Sequence, residues 1–248
     1  MIYDNQSISY RSRENIAAWM LMAFQAGALN IGGFMACHRF VSHVTGFATF
    51  FGHELSQFHL ATALSMLTAP IFFLLGCFFS GLLVDIRIQQ KKKPRYYVVF
   101  GIVFFLVALV WLLGLSGFFG VFGEDFLLAR DYTLLALLCF ICGLQNGTVT
   151  TASRSVLRTT HLTGLTTDLG IGLARLLQRK KINSSVDIPN EIFSNFFRLG
   201  IILSFTFGSA LGALLFSQYA YNGFLLPVFT AAVLFFTMLK LRQSGGGK

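Results

Sequence analysis

Histidine, threonine and glycine recur in one order at two places, His43-Val-Thr45-Gly46 and His161-Leu-Thr163-Gly164. An asparagine precedes each, in Gly27-Ala-Leu-Asn30 and Gly143-Leu-Gln-Asn146, and a further glycine follows each, Gly52 and Gly170. A threonine hydroxyl can cap the free amides of a helix start, and glycine permits close backbone approach. A helix amino terminus held inside a membrane presents a partial positive charge and favours an anion. Arg39, Arg154 and Arg158 stand beside the two segments. They strengthen that preference, because a guanidinium grips carboxylate or phosphate in a fork; snorkelling to the interface is their alternative use. Asp168 follows the second copy. It could neutralise one of these arginines, accept a coupling proton, or make a purely structural ion pair. The amides of Asn30 and Asn146 suit bridging to irregular backbone or bonding between helices. The expected substrate-binding set is therefore Asn30, Arg39, His43, Thr45, Gly46, Asn146, Arg154, Arg158, His161, Thr163, Gly164 and Asp168.

A competing chemistry rests on His38, His43, His53 and His59, with Glu54 beside His53. Imidazoles can bind zinc, iron or copper. The spacing matches no compact metal motif, since no His-Glu-x-x-His occurs and His53 and His59 do not share a helical face. No metal or catalytic residue is assigned and no cofactor is expected. His43 and His161 could instead act as titratable gates. Cys139-x-x-Cys142 lacks a second ligand pair, and Cys37, Cys77, Cys139 and Cys142 read as helix-packing thiols.

These residues sit in a chain of 248 residues that is 55% hydrophobic, 12% charged and rich in phenylalanine, with a mean hydropathy of +0.68. That composition excludes a soluble domain of this length. The 19 Lys and Arg against 10 Asp and Glu do not indicate nucleic acid, because they gather in short clusters between apolar runs, as the positive-inside bias requires. No cleavable signal peptide is expected, since the first apolar run starts near Ile16 and continues as a span. Residues 1–14 read as a polar tail and 243–248 as a flexible one, flanking a single membrane domain over 15–242.

Six stretches are long enough to cross a bilayer core, at about 16–36, 60–84, 96–122, 132–152, 198–219 and 222–240. Two weaker runs, about 44–52 and 162–178, carry the Thr-Gly motifs. Charge placement decides their topology. Were both to span, Arg87 to Arg95 would fall opposite Arg179-Lys-Lys181. Were both re-entrant, Arg11 and Arg13, Arg87 to Arg95, Arg179 to Lys181, and Lys240 with Arg242 would all face the cytoplasm, as would both termini. The expected fold is thus an all-α polytopic membrane protein of two inverted repeats, about 15–122 and 131–242, each with three spanning helices and one short re-entrant Thr-Gly segment. The two motifs then meet near the bilayer midplane. Gly76-x-x-x-Ser80-x-Leu-Leu83 also echoes Gly208-x-x-x-Gly212-x-Leu-Leu215, a spacing that lets helices approach closely in lipid.

The small-residue first span, the Arg39-Phe-Val41 step leading to Thr45-Gly46, and the block Gly143-Leu-Gln-Asn146 with Arg154, Thr160 and Thr163-Gly164 resemble the YoaK family of bacterial integral membrane proteins. The resemblance covers about 16–240 and departs at Phe47, where it implies asparagine. It implies a multi-pass protein of the bacterial cytoplasmic (inner) membrane, and it brings no substrate or reaction.

The function expected from the residues is a transporter or channel for a small, anionic solute, bound between the duplicated segments. Unwound backbone survives in lipid only where it lines a cavity, and broken segments at matching places in two halves point to the site. The alternatives are a membrane-embedded, metal-dependent enzyme using the His38 to His59 cluster, or a noncatalytic membrane scaffold. The expected partners are a small-molecule or ion substrate and the lipid bilayer, with a homo-oligomer left open and nucleic acid excluded.

Overall fold

The structure, a computed structural model, describes residues 13–124, 129–153, 162–179 and 187–244. Ten α-helices follow one another in these residues: α1 Arg13–Cys37, α2 Val44–Ser56, α3 Leu60–Ser65, α4 Thr68–Ser80, α5 Ile86–Gln89, α6 Tyr96–Leu115, α7 Ala129–Ala152, α8 Leu162–Leu177, α9 Ile188–Tyr219 and α10 Leu225–Ser244. A π-helical turn, Gly81–Asp85, joins α4 to α5, and a 3-10 turn, Ala220–Phe224, joins α9 to α10. The described residues contain no strand.

Five segments are long and apolar enough to cross a membrane: Ile16–Cys37, Leu60–Gln89, Tyr96–Leu115, Arg130–Ala152 and Ile188–Gln243. The last holds both α9 and α10, between which the chain turns at Ala220, at φ +49°. The first and fourth are the most enclosed, with 61% and 72% of an 18-residue apolar stretch buried against 28–33% in the rest. They are also the least apolar of the five. A helix surrounded by protein can carry Gln25, Gln145, Asn146 and Thr148, all buried, whereas the outer helices face lipid and tolerate only apolar surface.

Close packing at glycine fixes the frame. A side chain on Gly27 of α1 would strike the backbone carbonyl of Phe205 in α9, and one on Gly208 of α9 would strike that of Phe24 in α1. The same pair of contacts recurs between α4 and α7, where Gly143 lies against the carbonyl of Phe73 and Gly76 against that of Phe140. Side-chain hydrogen bonds repeat with them: Ser209 Oγ donates to Gly27 O at 3.1 Å, and Cys77 Sγ donates to Gly143 O at 3.3 Å. Small residues let helix backbones approach this closely, and in lipid that packing is what drives association.

The order of contacts gives the directions. Met20 meets Gly200, Gly27 meets Phe205, and Gly32 meets Phe216, so α1 and α9 run parallel. Phe73 meets Gly143, Cys77 meets Gly147, and Ser80 bonds Thr148 at 2.7 Å, so α4 and α7 also run parallel. α6 and α10 are antiparallel, with Arg242 over the Tyr97 ring at one end and Trp111 Nε1 donating to Asn222 Oδ1 at the other. α1 and α7 are antiparallel as well, because Gln145 Nε2 donates to Met22 O at 2.7 Å while Ala152 lies near Ala18.

Two boundaries differ from those expected. The third span stops at Leu115 rather than near 122, because Gly117, Gly120 and Gly123 all take positive φ and turn the chain through a non-helical cap. The fifth begins ten residues earlier than 198. Asp187 caps it, its Oδ1 accepting from Asn190 N at 3.2 Å, and Pro189 sits in the first turn, where a missing amide costs nothing.

Candidate functional site

The first short segment is positioned by a reversal after α1. His38 takes φ +51° and lies 3.2 Å from Gly123 O through its Nε2. Phe40 stacks on Phe34 with ring centroids 4.8 Å apart, and Val41 is buried against Gly33, where no side chain could fit beside it. Ser42 then donates both its amide, at 3.3 Å, and its hydroxyl, at 2.9 Å, to Asn30 Oδ1. Asn30 lies about two turns back from the end of α1, so α2 starts alongside the body of that helix rather than beyond it. Replacing Asn30 with leucine removes two hydrogen bonds and should cost about 1–3 kcal/mol, visible as a lower thermal midpoint in detergent.

The two short helices share their first turns. Thr45 and Thr163 are each the second residue and Gly46 and Gly164 the third. In α2, Thr49 Oγ1 donates to Thr45 O at 3.3 Å; in α8, Thr167 Oγ1 donates to Thr163 O at 2.9 Å. The sequence suggested that the threonine hydroxyls would cap the helix starts. For α2 the cap position falls to His43 instead, which makes no side-chain cap bond. Thr45 lies inside the first turn, two residues past the cap position.

A cavity of about 640 Å³ brings these helix starts together. Its polar lining comes from Asn30, Ser42, His43, Thr45 and Thr163, with Gly164 beside them, and its apolar walls are Phe40, Val44, Leu162 and Phe205. That mixture and size match a small-molecule site, in which a few polar groups orient a ligand between apolar walls. No carboxylate or guanidinium is among the described lining residues. The fixed electrostatics come from the amino ends of α2 and α8, which carry partial positive charge.

The remaining expected residues are placed differently. Arg39 donates from Nη1 to His38 O at 3.0 Å and lies over the Phe50 ring, 5.2 Å from its centroid, outside the lining. Asn146 is buried within α7, and Asp168 is exposed one turn beyond Gly164 on α8; neither lines the cavity. Gly46 packs against the His43 ring. Arg154, Arg158 and His161 lie outside the described residues. Phe40, Ser42, Val44, Leu162 and Phe205 were not anticipated. Four of them adjoin the motifs in sequence. Phe205 had a usable signal, standing one turn before the Gly208 spacing that echoes Gly76.

Of the clustered histidines, His59 pairs with Glu54 at 3.2 Å across the turn from α2 to α3. Among the described residues no group of three or more His, Cys, Asp or Glu is placed to hold a metal ion. The four cysteines are free thiols, three of them buried.

A family model described as "Protein of unknown function (DUF1275)" matches residues 18–238. No curated protein and no solved structure matches the chain.

Proposed function

Because the chain belongs to this DUF1275 family, the YoaK-like family its motifs resemble, and membership names no activity, we infer from the site itself that the protein moves a small solute across the membrane. The observation that carries this reading is the cavity shared by the first turns of α2 and α8. Paired helix amino termini in one cavity favour an anionic solute, and Arg154 and Arg158, close in sequence to the second motif, add to that preference.

The reading takes the two halves as inverted repeats and the short helices as re-entrant. Helix directions support it: along a common axis α1, α4 and α6 alternate in one sense, and α7, α9 and α10 alternate in the opposite sense. At 13 and 16 residues, α2 and α8 extend about 20 and 24 Å, short of the roughly 30 Å hydrocarbon core. Each begins at the shared cavity. α2 leads into the span that starts at Leu60, and α8 ends against the start of α9, where Arg175 reaches Glu191.

Basic clusters support placing the termini in the cytoplasm of a bacterial cell, with the chain in the inner membrane. Arg242 lies over Tyr97, which brings the carboxyl end of α10 to the basic turn between α5 and α6. Rocking of one half against the other would expose the cavity alternately to the two sides. Function as a homo-oligomer is compatible with this scheme and not required by it.

Proteoliposomes provide the test. Uptake of acetate, benzoate, nitrate or phosphate should exceed that of empty vesicles, and the double variant Thr45→Val with Thr163→Val should lower it at least about tenfold, since two orienting hydroxyls at roughly 1 kcal/mol each are lost. Uptake unchanged in the double variant would sink the site. Equal permeation of neutral acetamide would sink the anionic preference.

A further inference from the structure

One cluster of charge lies outside the cavity, where α8 packs on α9. Gly172 of α8 fits directly against Asn195 and Glu191 of α9, with no room for a side chain. One turn further along, Arg175 Nη1 lies 3.4 Å from Glu191 Oε2. The other carboxylate oxygen is held from within α9, since Arg198 Nη1 donates to Glu191 Oε1 at 3.3 Å and to Asn195 Oδ1 at 2.7 Å. Glu191 is therefore fixed in place by its own helix and offers one oxygen to the neighbouring one.

We propose that Arg175 and Glu191 form the lock that holds α8 closed over the cavity on the basic side of the membrane. The inference rests on the transport reading above and names how that site is regulated. α8 is the wall concerned, because its amino end lines the cavity and its carboxyl end lies at the cluster. The Arg175 side chain is half exposed while that of Glu191 is only 13% exposed, so the arginine is the part that can leave. When it leaves, Glu191 keeps Arg198, and no buried carboxylate is stranded. Removing the sole partner of a buried charge is strongly destabilising; a carboxylate with two partners lets one go cheaply, which suits a lock that must open.

The other short helix has no equivalent tie. Among the described residues, the ion pair at the far end of α2 joins Glu54 to His59 across a three-residue turn, which closes a local loop and fastens α2 to no distant element. α8 is the element latched by an ion pair, whereas α2 is held by its turn, by packing and by Arg39 over its Phe50 ring.

The test reads accessibility rather than transport. Cysteine is placed at Thr163, and its reaction with a membrane-impermeant maleimide is timed from the basic side and from the opposite side in vesicles of each orientation. The unmodified chain supplies the background of its native thiols. Arg175→Gln should speed labelling from the basic side about tenfold and leave the opposite side unchanged, while Arg175→Lys should stay near the native rate. Size-exclusion profile and thermal midpoint confirm that each variant is folded. An unchanged rate in folded Arg175→Gln overturns the lock, as does an equal rise from both sides. If labelling behaves as expected and no anion is taken up by any variant, the lock stands and the transport reading falls.

Discussion

Alanine at Gly27 or Gly143 should cost about 1–3 kcal/mol, typical of overpacking, and leucine at either should prevent assembly. At both positions the added carbon meets the main-chain carbonyl of a neighbouring helix, Phe205 in one case and Phe73 in the other. A carbonyl in an intact helix cannot rotate aside as a side chain can. The helices must separate instead, and the contacts at Gly208 and Gly76, which face the same partners, are lost with them. Thermal unfolding in detergent should show a drop of roughly 3–10 °C for each alanine variant. Gly52 and Gly164 are the controls, since nothing lies within 4 Å of a carbon added at either. There alanine should be neutral or slightly stabilising through its better helix propensity. A midpoint for Gly143→Ala that matches the Gly52→Ala control would show that the helices are not in this close register.

Tryptophan at Gly164 should abolish uptake while leaving the protein folded. Gly164 lines the cavity from the first turn of α8, and the space above it is open. The indole therefore starts into open space and extends into the volume the solute would occupy. Gly52 is equally open and lies outside the lining, so Gly52→Trp should retain uptake. The comparison separates blockage from bulk. Equal uptake by both variants in proteoliposomes would remove the cavity from the permeation path, whatever solute is carried.

Much of the arrangement was readable because membranes constrain it so strongly. The apolar runs marked the spanning helices, and the repeated motifs pointed to two short helices that start together. What escaped reading has identifiable causes. The run after Leu115 is apolar enough to pass for helix, yet three glycines spaced three apart, all at positive φ, turn it instead. The polar start of α9 fell outside the apolar stretch read from 198, and its charge is satisfied sideways, Glu191 by Arg175 and Arg198. Within the site, Thr45 and Thr163 both line the cavity, and in α2 the cap position falls to His43 rather than to Thr45. Arg39 was expected to grip a solute, and it donates to the carbonyl of His38 and lies over Phe50, eleven residues on in α2. Apolar walls carry no polar signature, so Phe40 went unread although it adjoins the first motif, and Phe205 was marked only indirectly, by the Gly208 spacing one turn on.

The three most extensive helix pairings, α1 with α9, α4 with α7, and α6 with α10, all join one half of the chain to the other. This orders events during biosynthesis. When the ribosome has delivered residues through Leu115, α1, α4 and α6 are in the bilayer, and each of them is waiting for a helix not yet made. Their glycine surfaces stay bare to lipid until α7, α9 and α10 arrive in turn, and α10 is the last to be synthesised. The bundle therefore cannot mature half by half; it closes in a late step, and a chain cut short before Leu225 leaves α6 without its partner.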